Sequence, residues 1–250
     1  MTIRGEKRYY GEVLGIARLD QEHRHPSIPG DVENASTYPF PVRMKIIDGL
    51  YDNPYPPVLD EKGNYTPDVQ KTVSAVKELA AEGVRAIVMA CGYFSLVQDI
   101  LTEEVNIPVF TSPLLLVPVI SKMIGRRRKV GILAASKTSL TDDFLKPAGI
   151  DDSVPYVLEG LDASTEFFSC FMGGTRTTMD VNLLQEQVVG IAKDFVGSNP
   201  DMGALLLECS ALPPFAAAIQ REIDLPVFDY ISFVHCVYRA VVQQEYRGFM

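Results

Sequence analysis

Four cysteines stand in the 250-residue chain: Cys91, Cys170, Cys209 and Cys236. Two of them share a context. Cys91 closes the apolar run AIVMAC and Cys209 closes ALLLEC. Seventeen positions after each comes the proline of a second apolar run, IPVF at Ile107–Phe110 and LPVF at Leu225–Phe228, so the two contexts are offset by 118. A thiol with an ordinary pKa of about 8.5 needs little tuning to act as a base near neutral pH. Two thiols facing across one pocket suit proton transfer at carbon: one takes a proton from one face and the other delivers a proton to the opposite face. The carbanion formed in between needs hydrogen-bond donors aimed at a neighbouring carboxylate. Backbone N–H groups of Gly92, Tyr93, Ser210 and Ala211 are candidates, with the Ser210 hydroxyl and the Tyr93 phenol beside them. A lone cysteine after an apolar run is usually a small buried hydrophobe; two in matched contexts argue for more. Cys170, in FFSCFMGG, reads as a packing residue beside a loop, and Cys236, inside a helical pattern, as core.

The elements that must position these thiols follow from the apolar pattern. Short continuous apolar runs at Val13–Ala17, Ala86–Ala90, Val109–Phe110, Val130–Ala134, Ala204–Leu207 and Val227–Phe228 suit strands buried on both faces. Helix-period segments lie between them: Pro67–Glu82, Leu96–Glu104, Leu114–Met123, Leu140–Lys146, Val181–Phe195, Phe215–Glu222 and Ile231–Gln243. The first has Thr66 as N-cap, Pro67 at its first position and Gly83 as its C-terminal glycine. Alternating strand and helix predicts an α/β fold with parallel sheets. A further echo, Leu14-Gly15-Ile16 against Val130-Gly131-Ile132 at an offset of 116, predicts two similar halves. In parallel sheets the ligand crevice lies beyond the carboxyl ends of the strands, where Cys91 and Cys209 both fall. Their turns into helices favour thiolate over thiol. The first half carries a long insertion, residues 19–66, rich in Pro, Gly, Asn and Tyr; a loop of that length is expected to contact the substrate.

Composition removes several alternatives. A net charge of −9 argues against nucleic acid, which needs a basic face. The run Arg126-Arg127-Arg128-Lys129 reads as a solvated turn. No stretch of about 18 apolar residues predicts a membrane span, and the first residues lack the apolar segment of a signal peptide. A cytoplasmic protein with free thiols is the expectation. The three histidines are far from any cysteine pair at ligand spacing, so no metal is expected. His23, Arg24 and His25 read as a surface loop, and His235 as a packed histidine. Gly173–Thr178 lacks the spacing and lysine of a phosphate loop. Asp142-Asp143 and Asp151-Asp152 read as helix caps or flanks.

The segments VMACGYFSLVQ and LLLECSALPPFAAA resemble the two cysteine motifs of the aspartate/glutamate/hydantoin racemase superfamily, and HPSIPGDVENASTYPFPV resembles an N-terminal segment of a less characterised subgroup. The likeness runs along nearly the whole chain. It implies two flavodoxin-like subdomains related by a pseudo-twofold axis, residues 1–112 with 228–250 and residues 113–227, with the active site between them. It implies no cofactor, a small carboxylate substrate, and a homo-oligomer (dimer or larger) for which the apolar last helix is a candidate interface. By the resemblance Cys91 and Cys209 match the catalytic cysteines. Ser136 to Thr138 match a loop lining the carboxylate pocket. The loop starting near Arg18 borders the pocket, and Thr37 and Tyr38 are possible contacts within the insertion. The amino-acid racemases of the group show Cys-Asn-Thr and Cys-Thr where this chain has Cys91-Gly92-Tyr93 and Cys209-Ser210, which points away from aspartate or glutamate.

The expected activity is cofactor-independent racemisation or isomerisation through a proton α to a carboxylate. The alternatives within the superfamily are a β-elimination lyase of the dimethylsulfoniopropionate type, and a maleate isomerase or arylmalonate decarboxylase-like enzyme. Two cysteines disfavour the decarboxylase, which uses one. A non-enzymatic reading is a module that closes two halves around a small carboxylate without chemistry.

Overall fold

The computed structural model describes residues 5, 8–20, 25–51, 57–172 and 176–249. His23, Arg24 and the segment 173–175 lie outside the described residues. In chain order the elements are β1 (Leu14–Leu19), β2 (Val42–Ile47), α1 (Pro67–Glu82), β3 (Ala86–Met89), α2 (Gln98–Glu104), β4 (Val109–Phe110), α3 (Val117–Ile124) and β5 (Lys129–Ala134). There follow α4 (Asp142–Leu145), β6 (Tyr156–Gly160), α5 (Thr165–Phe167), α6 (Val181–Gly197), β7 (Met202–Leu207), α7 (Ala216–Ile223), β8 (Val227–Phe228) and α8 (Tyr230–Val241).

The strands form two four-stranded sheets, ordered β2-β1-β3-β4 and β6-β5-β7-β8, with every pairing parallel. The orders match place for place, as the repeat requires: β1 corresponds to β5 and β3 to β7. The continuous apolar runs are explained by burial on both faces. In the first sheet Ala17, Ile87 and Met89 pack against α1 and α2, while Leu14, Ile16 and Val88 pack against Tyr230, Phe233, Val234 and Val237 of α8. In the second, Leu133, Leu205 and Leu207 face α6 and α7, and Ile132, Ala134 and Leu206 face α3 and α4. Each fully buried Leu, Ile or Val contributes about 1.5–3 kcal/mol.

Three expectations need correction. The insertion 19–66 is not irregular throughout, because β2 lies inside it. VRMKII alternates as an edge strand does, with Ile46 exposed and Ile47 buried, so a search for unbroken apolar runs passes over it. The edge strand β6, YVLEG, escapes because its apolar run is cut short at Glu159. As expected, Thr66 occupies the N-cap of α1, though without a side-chain cap bond, and Gly83 takes the left-handed C-cap conformation. Cys236 is exposed rather than core, because Phe233, Val234 and Val237 occupy the inward stripe of α8.

Arg126–Arg128 form a turn, and His235 is half-buried beside the Phe40 ring. Asp142 and Asp143 occupy the first turn of α4. Cys170 is buried with its thiol directed at Glu166 Oε1 and the Thr178 carbonyl. Among the described residues no helix is long and apolar enough to cross a membrane.

Candidate active site

The two cysteine turns are built alike. The last ladder bonds are Ala90 N–H to the Ala17 carbonyl at 2.8 Å and Glu208 N–H to the Leu133 carbonyl at 2.9 Å. One residue later each cysteine carbonyl closes a tight turn, accepting from Phe94 N–H at 3.2 Å and from Leu212 N–H at 3.1 Å. The chain then enters a 3-10 segment, Gly92–Val97 before α2 and Pro213–Phe215 before α7. Both thiols are half-buried, and both line a single cavity of about 320 Å³.

The first half contributes Leu19, His25, Asp31, Glu33, Ala90, Cys91 and Tyr93 to that cavity. The second half contributes Ala135, Ser139, Phe167, Phe171, Met172, Cys209, Ser210 and Ala211. Phe167 and Phe171 lie with ring centroids 5.0 Å apart, and the His25 ring meets Phe171 edge-on at 4.7 Å. Phe171 and Met172 come from a π-helical turn, a distortion that often marks functional sites. The wall is therefore aromatic and apolar over much of its area, with carboxylates on one side.

Those carboxylates come from the insertion. Val32 N–H reaches the Ser210 carbonyl, which ties the insertion to the Cys209 turn. Asp31 is 3% exposed; burial raises its pKa to about 6, against the opposing pull of the Glu33 N–H bond to its carboxylate. Glu33 is ion-paired with Arg18. Burial likewise pushes the Cys209 thiol well up, helped by the charge of Glu208 and opposed by the Ala211 N–H. Tyr93 is raised by burial and then by Glu208; its hydroxyl makes no hydrogen bond among the described residues, though Ser139 stands beside it.

Cys91, Tyr93, Cys209, Ser210 and Ala211, expected from sequence, thus meet at one cavity. The other expected residues stand behind it. Gly92 is buried against the Glu208 carboxyl. The Ser136 hydroxyl bonds Asp162 at 2.7 Å and lies 3.1 Å from that of Thr138; this bracing presents Ser139, not Ser136 or Thr138, to the cavity. Arg18 acts through Glu33. Thr37 bonds the Asp31 carbonyl at 2.8 Å, and the buried Tyr38 hydroxyl bonds the Val32 carbonyl at 2.8 Å, so both hold the Asp31 loop from behind.

Sequence reasoning missed Asp31, Glu33, Glu208 and the Phe167–Met172 wall. The "GDVE" stretch beside a Pro-Gly turn offered one signal, two acids in a loop already expected to touch substrate.

Comparison with known proteins gives consistent results. The family model described as Asp/Glu/Hydantoin racemase matches residues 44–234. A dimethylsulfoniopropionate lyase from Durusdinium sp. clade D is 33% identical over 224 residues, covering 87% of this chain and 71% of that protein. Dimethylsulfoniopropionate lyase 7 of Emiliania huxleyi (strain CCMP1516) is 28% identical over 228 residues, covering 88% of this chain and 64% of its own length. The chain therefore spans about two thirds of these relatives. Among solved structures, unliganded arylmalonate decarboxylase superposes with a TM-score of 0.56 at 12% identity, covering 95% of this chain and 96% of that one. Glutamate racemase RacE1 from Bacillus anthracis gives 0.54 at 15% identity, covering 92% and 82%. An aspartate racemase homologue from Pyrococcus horikoshii OT3 gives 0.54 at 18% identity, covering 92% and 99%. At these identities the structural matches speak to the fold.

Proposed function

The chain belongs to the Asp/Glu/hydantoin racemase family, and on that premise we propose that it works without a cofactor, using Cys91 and Cys209 as base and acid at the carbon next to the carboxylate of a small acid. Racemisation or isomerisation of that acid is the first reading. The observation that carries it is the placement of the two thiols at corresponding strand ends, both lining one cavity between the halves. One thiolate removes the α-proton, the electron pair passes into the carboxylate as an enolate, and the opposing thiol returns a proton to the other face. Backbone N–H groups at Tyr93 and Ser210, with the Ser210 hydroxyl, are the donors available to the enolate oxygens. Reduced thiols are required, which suits a cytoplasmic setting.

A second reading, β-elimination, is favoured by the wall chemistry. Asp31 and the Arg18-paired Glu33 leave a net negative charge beside Tyr93, Phe167 and Phe171, a combination that attracts a sulfonium or quaternary ammonium group. The relatives named as dimethylsulfoniopropionate lyases point the same way. The first step is shared. The carbanion pair then forms the α,β double bond, the bond from the β-carbon to sulfur breaks, and dimethyl sulfide departs with that bond's electrons to leave acrylate.

Cys91→Ala and Cys209→Ala test the proposal against a binding module. Turnover of the accepted substrate is expected to fall at least about a hundredfold in each for racemisation or isomerisation, and in the variant that lost the base for elimination, the scale of a lost acid–base group, with binding retained. Full turnover in both variants overturns the thiol mechanism.

A further inference from the structure

The two cysteine turns touch through their neighbours. Glu208 precedes Cys209 and Gly92 follows Cys91. A Cβ placed on Gly92 would lie 1.5 Å from Glu208 Oε1 and 2.3 Å from its carboxyl carbon. The carboxyl therefore occupies the place of a side chain at position 92, and only glycine leaves room for it. The contact crosses from the second half of the molecule to the first.

Both ends of the contact are fixed. Glu208 N–H makes the last ladder bond at the end of β7, to the Leu133 carbonyl at 2.9 Å. Its carboxyl accepts from the Ala135 backbone N–H. Gly92 is buried in the turn that the Cys91 carbonyl closes with Phe94 N–H. Glu208 is 2% exposed, and its Oε1 has no hydrogen-bond partner among the described residues. A buried polar atom without a partner costs stability, so the chain keeps this contact against a penalty. The internal repeat supplies no counterpart. At the offset of 118, Glu208 corresponds to Ala90 and Gly92 to Ser210. The Ala90 side chain ends at its Cβ and has no carboxyl to send across. Cys91 and Cys209 are themselves near enough to act on one another through charge.

We infer that Glu208 is a positioning residue: its carboxyl, seated on Gly92, sets the spacing of the Cys91 and Cys209 thiols across the cavity. The inference rests on the two-thiol reading, since spacing matters to the chemistry only if both thiols serve one substrate carbon. It holds whichever thiol starts as the base. Each thiol is one residue from an end of the contact, so a shift at the seat moves one turn against the other. Proton transfer needs donor and acceptor within hydrogen-bond reach and tolerates little displacement. Racemisation and isomerisation, which use both thiols, depend on the seat most.

The test needs no substrate. Dibromomaleimide loses one bromide to a first thiol and the other to a second thiol within reach, so it bridges a close pair. It is applied to the full chain carrying Cys236→Ser, which removes the exposed competitor. Peptide mapping compares closure of the Cys91–Cys209 bridge with the first alkylation. Bridging is expected to be fast in this parent and in Glu208→Gln, which keeps the shape of the seated side chain. It is expected to slow in Glu208→Ala, and to slow further in Gly92→Ala, where the new Cβ expels the carboxyl. The double variant Gly92→Ala/Glu208→Ala should close faster than Gly92→Ala alone, because the clash is gone. A merely structural role would lower Tm without tying the bridging rate to the pair. Equal bridging in every folded variant overturns the inference, as does a parent that is not bridged or a double variant no faster than Gly92→Ala. If Gly92→Ala does not fold, Glu208→Ala against Glu208→Gln carries the decision. For whichever of aspartate, maleate or dimethylsulfoniopropionate is turned over by way of both thiols, kcat in Gly92→Ala should fall on the order of a hundredfold, the scale of a misplacement of about 1 Å, with KM little changed. Bridging reads geometry alone, so it judges Glu208 apart from the two-thiol reading, which fails if Cys91→Ala and Cys209→Ala both keep full turnover.

Discussion

Arg18, near the end of β1, forms an ion pair with Glu33 of the insertion. The Glu33 side chain is 6% exposed and that of Arg18 21%, so the pair fastens the insertion to the sheet end that bears the cavity. Removing the cation leaves a carboxylate out of water, which costs more than the pair itself contributes. Arg18→Gln is expected to lower stability by about 1–3 kcal/mol in urea unfolding. A loss below about 0.5 kcal/mol would class the contact with weak surface pairs.

Asp31 gives the acidic wall a pH dependence. Burial lifts its pKa to about 6, so it is largely neutral at pH 5 and charged at pH 7.5. Affinity for a sulfonium or quaternary ammonium carboxylate is expected to rise with pH through about 6. Asp31→Asn should flatten that rise, and a neutral tert-butyl analogue should not show it. Calorimetric titration of the analogue pair at the two pH values decides; equal pH dependence for both ligands would remove Asp31 from cation recognition.

Glu208 ties stability to pH. Its pKa is raised from 4.5 in the unfolded chain to about 7 by burial, so the folded state holds the proton more tightly. The stabilisation is fully present below about pH 4.5 and is lost as pH rises through about 7. Asp31, raised from 3.8 to about 6, adds a change of the same sign. Glu208→Gln is expected to gain on the order of 3 kcal/mol over the wild type at pH 8 and little at pH 4.5. Equal Tm differences between the two proteins at both pH values would contradict the buried-carboxyl picture.

The Ser139 loop depends on a close approach at Gly160. A Cβ there would meet Asp162 Oδ2 at 2.0 Å and the Lys137 backbone nitrogen at 2.3 Å. These are the groups that hold the loop, through Lys137 N–H to Asp162 at 2.9 Å. Gly160→Ala is expected to destabilise the fold by about 1–3 kcal/mol and to weaken substrate binding. Unchanged KM and Tm would show that the loop does not need its present geometry.

Much of this arrangement was legible from short apolar runs. Both faces of β1, β3, β5 and β7 are buried, so Leu14–Ala17 or Leu205–Leu207 needs no alternation and stands out in the chain. The 118-residue echo located the two thiols for the same reason, since turn and strand repeat together. The edge strands stayed hidden, β2 because one face meets water and β6 because its apolar run is cut short at Glu159. The acidic wall was hidden differently. Asp31 reaches the cavity because the insertion is tied to Ser210 more than 170 residues away, and no local pattern carries that contact. Glu208 looked like the polar end of a strand; only the notch at Gly92, in the other half, gives it a seat.

The most direct test of the two-thiol account is proton NMR in deuterated buffer, with candidate acids including aspartate, maleate and dimethylsulfoniopropionate. The account expects loss of an α-proton signal at rates that collapse in both Cys91→Ala and Cys209→Ala, or conversion into an alkene product at a rate that collapses in the variant that has lost the base. An α-proton that exchanges or is eliminated at the wild-type rate in both variants would contradict it.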